Sequence, residues 1–289
     1  MGHLIVSPGR VTTVTINRPE VRNALNDAVI AEFTDWATDI ATDRSVRVVV
    51  LQGTGPIFCA GADLTWMARV AAYTHEENLE DARRAARLFH LLDTLPVPLI
   101  GRVQGAALGG GSGLAAVCDV VVAESDAVFG FTETTLGIVP AMISPYVVRK
   151  IGLSAARALC LSGLRFTASH ALAIGLVQQV VPARQLDAAV AQQAEQFDRA
   201  APSAVAATKR LLSEVSGRRP ADLLALTAET IAAQRVSAEG QEGIRAFLEK
   251  RTPSWVERGS KGSKSSGSSK GSKSSKGSKG SKRSKGKKR

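Results

Sequence analysis

Between residues 104 and 119 the chain runs Q-G-A-A-L-G-G-G-S-G-L-A-A-V-C-D, and the segments on either side take their places from it. Apolar runs flank it, Leu99–Val103 before and Asp119–Ala123 after. Five of its sixteen residues are glycine, and Gly109, Gly110 and Gly111 are consecutive. Glycine has the most backbone freedom to lose, so the run is a poor strand and a poor helix interior. It does let another group's atoms approach bare N–H groups at a helix start, where the backbone carries partial positive charge. The pattern predicts a β-α-β unit: strand 99–103, glycine loop, helix 112–117, strand 119–123. Taken alone, such a loop is a tight strand-to-helix turn.

A second segment gives the loop chemical meaning. Ile57–Leu64, I-F-C-A-G-A-D-L, follows the strand-like run Arg47–Gln52 and a Gly53-Thr54-Gly55-Pro56 turn. It also places small residues, Ala60, Gly61 and Ala62, after a strand, with Asp63 positioned to cap a following helix. Two such loops can aim two backbone N–H groups at one oxygen, as an oxyanion hole requires. Loss of one donor from such a site costs roughly 3–4 kcal/mol of transition-state stabilisation.

The motifs F-C-A-G-A-D-L, G-A-A-L-G-G-G and F-G-F-T-E-T-T-L-G-I-V-P, in that order, resemble the crotonase family of enoyl-CoA hydratases and isomerases. The resemblance runs from about Leu4 to about Trp255 and includes N-R-P-E-V-R-N-A-L-N at Asn17–Asn26. It implies an α/β fold, a crotonase-like spiral of β-β-α turns with a C-terminal helical region, assembled as a homotrimer or hexamer. It also implies a CoA thioester whose carbonyl sits between the N–H groups of Ala62 and Gly110. No cofactor is implied, because CoA is part of the substrate. Arg22 and Ala24 match positions beside the nucleotide part of CoA, and Ala60, Gly61, Asp63, Leu64 and Gly109 line the same wall. Glu133 matches the acid/base. It lies among apolar residues, which raises a carboxyl pKa and suits a group that must give and accept a proton near neutrality.

Gly113 departs from the pattern, because typical hydratases carry a second glutamate at that point of the glycine loop. The gap, with the I-V-P-A-M-I-S-P-Y continuation, is similar to members of the methylglutaconyl-CoA hydratase type. Two chemistries follow: hydration in which the substrate's own carboxylate replaces the absent glutamate, or Δ3,Δ2-enoyl-CoA isomerisation with Glu133 as the lone proton shuttle. Ser112 has a structural reading and one in which it positions water. Trp66, Met67, Phe131, Met142 and Tyr146 are candidates for the acyl pocket or for the core.

Charge divides the chain. Residues 259–289 are only Gly, Ser, Lys and Arg; removing their twelve cations from 37 basic residues against 26 acidic ones leaves the body, 1–258, at a formal −1. The +11 of the whole chain therefore belongs to the tail. Its composition predicts disorder and salt-sensitive binding to nucleic acid or acidic surfaces, without base stacking. A solubilising extension is the simpler reading. A different class of function, a non-catalytic CoA-binding scaffold tethered to nucleic acid by this tail, stands beside the enzyme. Cys59, Cys118 and Cys160 are widely spaced, which fits free thiols in a reducing cytoplasm. The four histidines lack metal-ligand spacing, so no metal is expected. No apolar run is long enough to span a membrane.

In chain order, 3–6 and 11–16 predict a hairpin, and a helix capped by Asn26 or Asp27 buries Ile30, Phe33, Ala37 and Ile40. Another helix over 76–95 aligns Leu79, Ala82, Ala86, Phe89 and Leu92 before Pro96 stops it. A strand is predicted near 127–130, then helices over 145–151, 154–162 and 167–174, a strand over 176–181, and helices over 184–200, 202–216, 220–236 and 239–250. The domain expectation is a spiral core at 1–200, a helical trimerisation region at 201–258 and the tail. A dinucleotide fingerprint at Gly111-x-Gly113-x-x-Ala116 is set aside, because Gly105–Gly109 separates it from its strand. Leu114 rules out a nucleophile elbow at Ser112.

Overall fold

In the computed structural model, which describes residues 2–256, β-branched runs pair into one long sheet. Leu4–Ser7 (β1) and Val11–Ile16 (β2) form the expected hairpin, Leu4 opposite Ile16. Val48–Gly53 (β3), Leu99–Val103 (β4), Val120–Glu124 (β6) and Gln179–Val181 (β9) extend it in the order β1-β2-β3-β4-β6-β9. Every pairing after β1–β2 is parallel. A parallel sheet needs cover on both faces, and β3 provides for both by alternation. Val49 and Leu51 enter the larger core with Phe33, Leu88 and Leu99. Val48 and Val50 point the other way, to Ile100, Val122, Leu186 and Val190. The last two lie on helix α7, Leu186–Asp198.

The larger core is closed by α1 (Asp27–Ile40) and α3 (His75–Asp93). Asn26 caps α1 by accepting from Val29 N at 2.9 Å. A capping box of Thr74 and Glu77 starts α3. Its buried face is Ala85, Leu88, Phe89 and Leu92, so the expected line holds only at Phe89 and Leu92. Spacings of three, one and three residues make that face a true helical stripe. The N-terminal half of α3 stands away from the core, and Leu79 is exposed. Each fully buried leucine or phenylalanine here contributes about 1.5–3 kcal/mol.

Two strands depart from the sequence expectation. Ala106–Leu108 (β5), within the supposed glycine loop, pairs in parallel with Val128–Gly130 (β7), which pairs antiparallel with Arg165–Thr167 (β8). A bridge from Cys59 to Ala107 supplies partners for this weak strand former, Cys59 N donating to Ala106 O at 3.1 Å and Leu108 N to Cys59 O at 3.0 Å. Pairing across the chain outweighs local propensity. Helix α4 then begins at Gly110 rather than Ser112 and runs to Val117.

Helices Leu64–Val70 (α2), Ser144–Ser162 (α5) and Ala168–Ala173 (α6) complete the body. Gly152, at φ 75°, breaks α5 between the two segments expected there. The C-terminal helices α8 (Pro202–Val215), α9 (Leu224–Val236) and α10 (Ala238–Leu248) follow. Lys209 ties α8 to the sheet through Asp119 at 2.7 Å and the Val97 carbonyl at 3.3 Å. Cys59, Cys118 and Cys160 are free. Among the described residues no helix is long and apolar enough to cross a membrane. The expectations for residues 259–289 lie outside the described residues.

Candidate active site

The Ala60–Asp63 loop is seated by backbone bonds. Ala60 N donates to Arg22 O at 3.0 Å, Leu25 N to Gly61 O at 2.7 Å, and Asp63 N to Leu25 O at 2.8 Å. A peptide's N–H points opposite to its own C=O. With Gly61 O directed at Leu25, the Ala62 N–H faces away from that pairing. The same argument holds at Gly110: Gly109 O accepts from Gly113 N at 3.0 Å, so the Gly110 N–H projects from the start of α4. Among the described residues, neither N–H has a partner within the protein. Gly61 brings the two loops together. At φ 95°, a Cβ there would lie 2.7 Å from Leu108 O and 3.6 Å from Gly110 N, so only glycine permits the contact.

Asp63 supports the loop from inside. Its carboxylate caps α2, accepting from Thr65 N at 2.8 Å and Trp66 N at 3.3 Å, and pairs with Arg18 at 2.8 Å. Burial pushes the carboxyl up, but the Arg18 guanidinium and the two helix N–H groups outweigh it, holding it below its ordinary 3.8. Arg18 also donates to Ala24 O at 2.6 Å. The Asp63 side chain is therefore spent on the scaffold rather than offered to a ligand. Arg22 is exposed in a left-handed conformation at φ 56°, Ala24 is buried, and Leu64 stands 80% exposed at the start of α2. Arg22, Ala24 and Ala60–Leu64 thus come together around one loop, as the sequence pattern implies.

Glu133 opens a short 3-10 turn, Glu133–Leu136, three residues after β7. Phe131 anchors that link, fully buried with its ring 5.8 Å from Phe166, and Thr134 Oγ1 donates to Cys160 O at 2.9 Å. The carboxylate reaches the glycine loop: a Cβ at Gly109 would be 3.4 Å from Glu133 Oε1. Burial pushes its pKa above the ordinary 4.5, opposed only by its own backbone N–H. Glu133 Oε2 is buried without a hydrogen-bond partner. A buried orphan oxygen is costly unless a ligand or water completes it. The unpartnered Gly110 N–H and a carboxyl with raised pKa therefore both border the glycine loop.

The space at Gly113 is already filled. A Cβ there would lie 2.2 Å from Ile143 Cγ2 and 3.1 Å from Phe89 Cε1. No second acid contributes to the Glu133 shift. Ser112 does not face the site either: its hydroxyl donates to Ala107 O at 2.6 Å and accepts from Gly130 N at 3.2 Å. Ile143, Phe89 and Arg18 escape a sequence reading, since their roles depend on contacts 24 to 45 residues away along the chain. A cavity of about 720 Å³ lies elsewhere, between α8 and the N-terminal ends of β4 and β6, lined by Asp93, Asp119 and Phe197. Its acids are neutralised by Arg149 and Lys209, so it lacks the poised acid of the Glu133 loop.

The model of the enoyl-CoA hydratase/isomerase family matches residues 7–258. The chain belongs to that family, the crotonases. It is 39% identical over 262 residues to the 2,3-dehydroadipyl-CoA hydratase of Escherichia coli, covering 89% of this chain and all of that one. It is 35% identical to the mevalonyl-coenzyme A hydratase of Aspergillus fumigatus, over 85% of this chain and 91% of the relative. The crystal structure of an enoyl-CoA hydratase from Shewanella pealeana superposes with a TM-score of 0.84 at 38% identity, over 88% of this chain and 96% of that one. The crotonase fold assigns the strand-helix layout described above, and an acyl-CoA thioester is the family's substrate class.

Proposed function

We propose that this crotonase adds water to, or removes it from, an α,β-unsaturated acyl-CoA, with Glu133 as its sole acid/base. The carrying observation is the buried, partnerless Glu133 Oε2 beside the glycine loop whose Gly110 N–H is free. In this reading the thioester oxygen accepts from the Ala62 and Gly110 N–H groups, which polarises the double bond. Glu133 takes one proton from water as the hydroxyl adds to C3, and the charge passes to the thioester oxygen as an enolate. The same carboxyl then returns the proton to C2, so one water is consumed and Glu133 ends ionised. Its raised pKa strengthens it as a base for the first step, and its conjugate acid remains able to protonate the enolate in the second.

The filled space at Gly113 bears on the substrate. Without a second acid to hold water, a substrate carboxylate can take that part, which supports an acyl group of the 3-methylglutaconyl type. The dicarboxylic acyl group named for the Escherichia coli relative agrees with this choice. The same observation favours one other reading, in which Glu133 moves a proton from C2 to C4 of a 3-enoyl-CoA and no water adds. Turnover by mass spectrometry on crotonyl-CoA, 3-methylglutaconyl-CoA and a 3-enoyl-CoA separates them. A mass gain of one water, largest for 3-methylglutaconyl-CoA, supports the hydratase; double-bond migration without mass gain assigns the isomerase.

Family habit and the exposed Leu212, Leu224, Val236, Phe247 and Leu248 of α8–α10 support assembly as a trimer or hexamer. Sedimentation equilibrium tests this, with a monomer as the contrary result. A reducing cytoplasm and a role in fatty-acid or branched-chain amino-acid breakdown fit the same reading.

A further inference from the structure

The two halves of the proposed site are joined by one buried hydroxyl. Ser112 lies in the first turn of α4, fully buried, two residues beyond the Gly110 donor. A serine there ordinarily turns to solvent or to its own helix. Here its Oγ–H crosses to β5, donating to Ala107 O at 2.6 Å, and its oxygen accepts from Gly130 N at 3.2 Å. The other face of the Gly130 residue is held as well, since Gly130 O accepts from Gly109 N at 2.8 Å. Gly130, the last residue of β7, is thus gripped by the loop residues on both sides of Gly110. Glu133 follows three residues later, with Phe131 locked in the core between them.

We infer that Ser112 is a positioning residue that fixes the distance between the Gly110 oxyanion donor and the Glu133 carboxyl by clamping Gly130 to the first turn of α4. This rests on the Glu133 and Gly110 reading above. Its other links are backbone bonds that any sequence of this fold could make; the hydroxyl is the side chain in the clamp. Removal would leave the Gly130 N–H and the Ala107 carbonyl without this partner in a dry interior. Such buried groups seek new partners or water, and a small shift of Gly130 toward one would pass through the Phe131–Thr132 link to Glu133. Displacement of about 1 Å at a reacting group costs as much as 100-fold in rate.

The test uses full-length wild type, Ser112→Ala, Ser112→Cys and Glu133→Gln, assayed on the best thioester across pH. Ser112→Ala is expected to lower kcat by about 10- to 100-fold with KM within about twofold, because the loop still presents its N–H groups to CoA. The acidic limb of the wild-type profile should also move to lower pH, as a displaced Glu133 regains water and loses the burial that raises its pKa. Ser112→Cys, which keeps a weak donor and acceptor, should fall between the two in kcat and limb position. Were Ser112→Ala too unstable to purify, the cysteine variant alone would have to show a lowered kcat and a shifted limb. Unchanged kcat and limb in the serine variants, with Glu133→Gln inactive, overturns the clamp and leaves the proposed function standing. Loss of CoA affinity in step with kcat would make Ser112 merely structural and also overturns it. Full turnover by Glu133→Gln would instead remove the reading on which the clamp rests.

Discussion

Substitution of Gly113 by alanine probes the space that a second acid would need. The added Cβ would lie 2.2 Å from Ile143 Cγ2 and 2.9 Å from Ile143 Cβ, with Phe89 Cε1 at 3.1 Å. Carbon atoms settle at about 3.5–4.0 Å, so Ile143 must retreat by more than about 1 Å. It has little room, being 2% exposed, and the clash involves its Cβ as well as its methyl group. Overpacking of this kind costs about 1–3 kcal/mol, while replacing a helical glycine by alanine returns about 1 kcal/mol. A net loss of up to about 2 kcal/mol is expected, measured by urea denaturation. Ile143→Ala alone should cost about 2–5 kcal/mol through the cavity it leaves. In that background the Cγ2 clash is gone while the Cβ at 2.9 Å and Phe89 Cε1 at 3.1 Å remain, so Gly113→Ala should cost less than it does in wild type, with a coupling of about 0.5–3 kcal/mol between the two positions. A Gly113→Ala variant as stable as wild type, with no coupling to Ile143, would refute the claim that Ile143 fills the second-acid space.

Further outcomes follow from other contacts. Arg18→Ala leaves the Asp63 carboxylate buried without its guanidinium, and loss of one member of a buried pair costs about 3–5 kcal/mol. Because the folded Asp63 pKa lies below 3.8, the stability this carboxylate confers is present above that value and falls away as pH drops through the folded pKa; Asp63→Asn should lose this acid limb in a melting-temperature series. Glu133 has the opposite sign: its raised pKa makes its contribution complete below pH 4.5 and lost as pH rises through the folded value. Glu133→Gln should therefore melt higher relative to wild type at pH 8 than at pH 4. Removal of residues 259–289 takes away twelve cations, so salt-sensitive DNA retention on heparin-type or gel-shift assays should vanish while turnover persists; turnover that disappears with the tail contradicts the division at 258.

Features written in local chemistry were legible in the sequence. Asn26, one of two candidates beside Asp27, and Asp63 cap their helices because a short acceptor side chain precedes an apolar run, and each accepts from first-turn amides. The run Arg47–Gln52 was readable as a strand, and β3 is buried along nearly its whole length. Glu133 stood out as an acid embedded in apolar sequence, and burial does raise its pKa. Features made by pairing between distant segments were hidden. Ala106–Leu108 has no strand propensity to notice; it becomes β5 because Cys59 and β7 supply its hydrogen bonds. Arg165–Thr167 became β8 by pairing with β7 across 35 residues, Gly130 opposite Arg165. Likewise Gly113 stands where the resemblance implies an acid, but only the fold shows Ile143 packed against it. Ser112 was ambiguous for the same reason, its two partners being a carbonyl and an amide that no local pattern names.

The central claim is that one carboxyl, Glu133, carries the proton in both directions while water supplies the hydroxyl. Incubation of wild type and Glu133→Gln with the preferred 2-enoyl-CoA in ¹⁸O-labelled water, followed by mass spectrometry, tests it most directly. The account predicts a 3-hydroxyacyl-CoA carrying one ¹⁸O from wild type, and turnover lowered by at least about 100-fold in the glutamine variant, the order expected for loss of a general acid/base. Label incorporation by Glu133→Gln at the wild-type rate would contradict it.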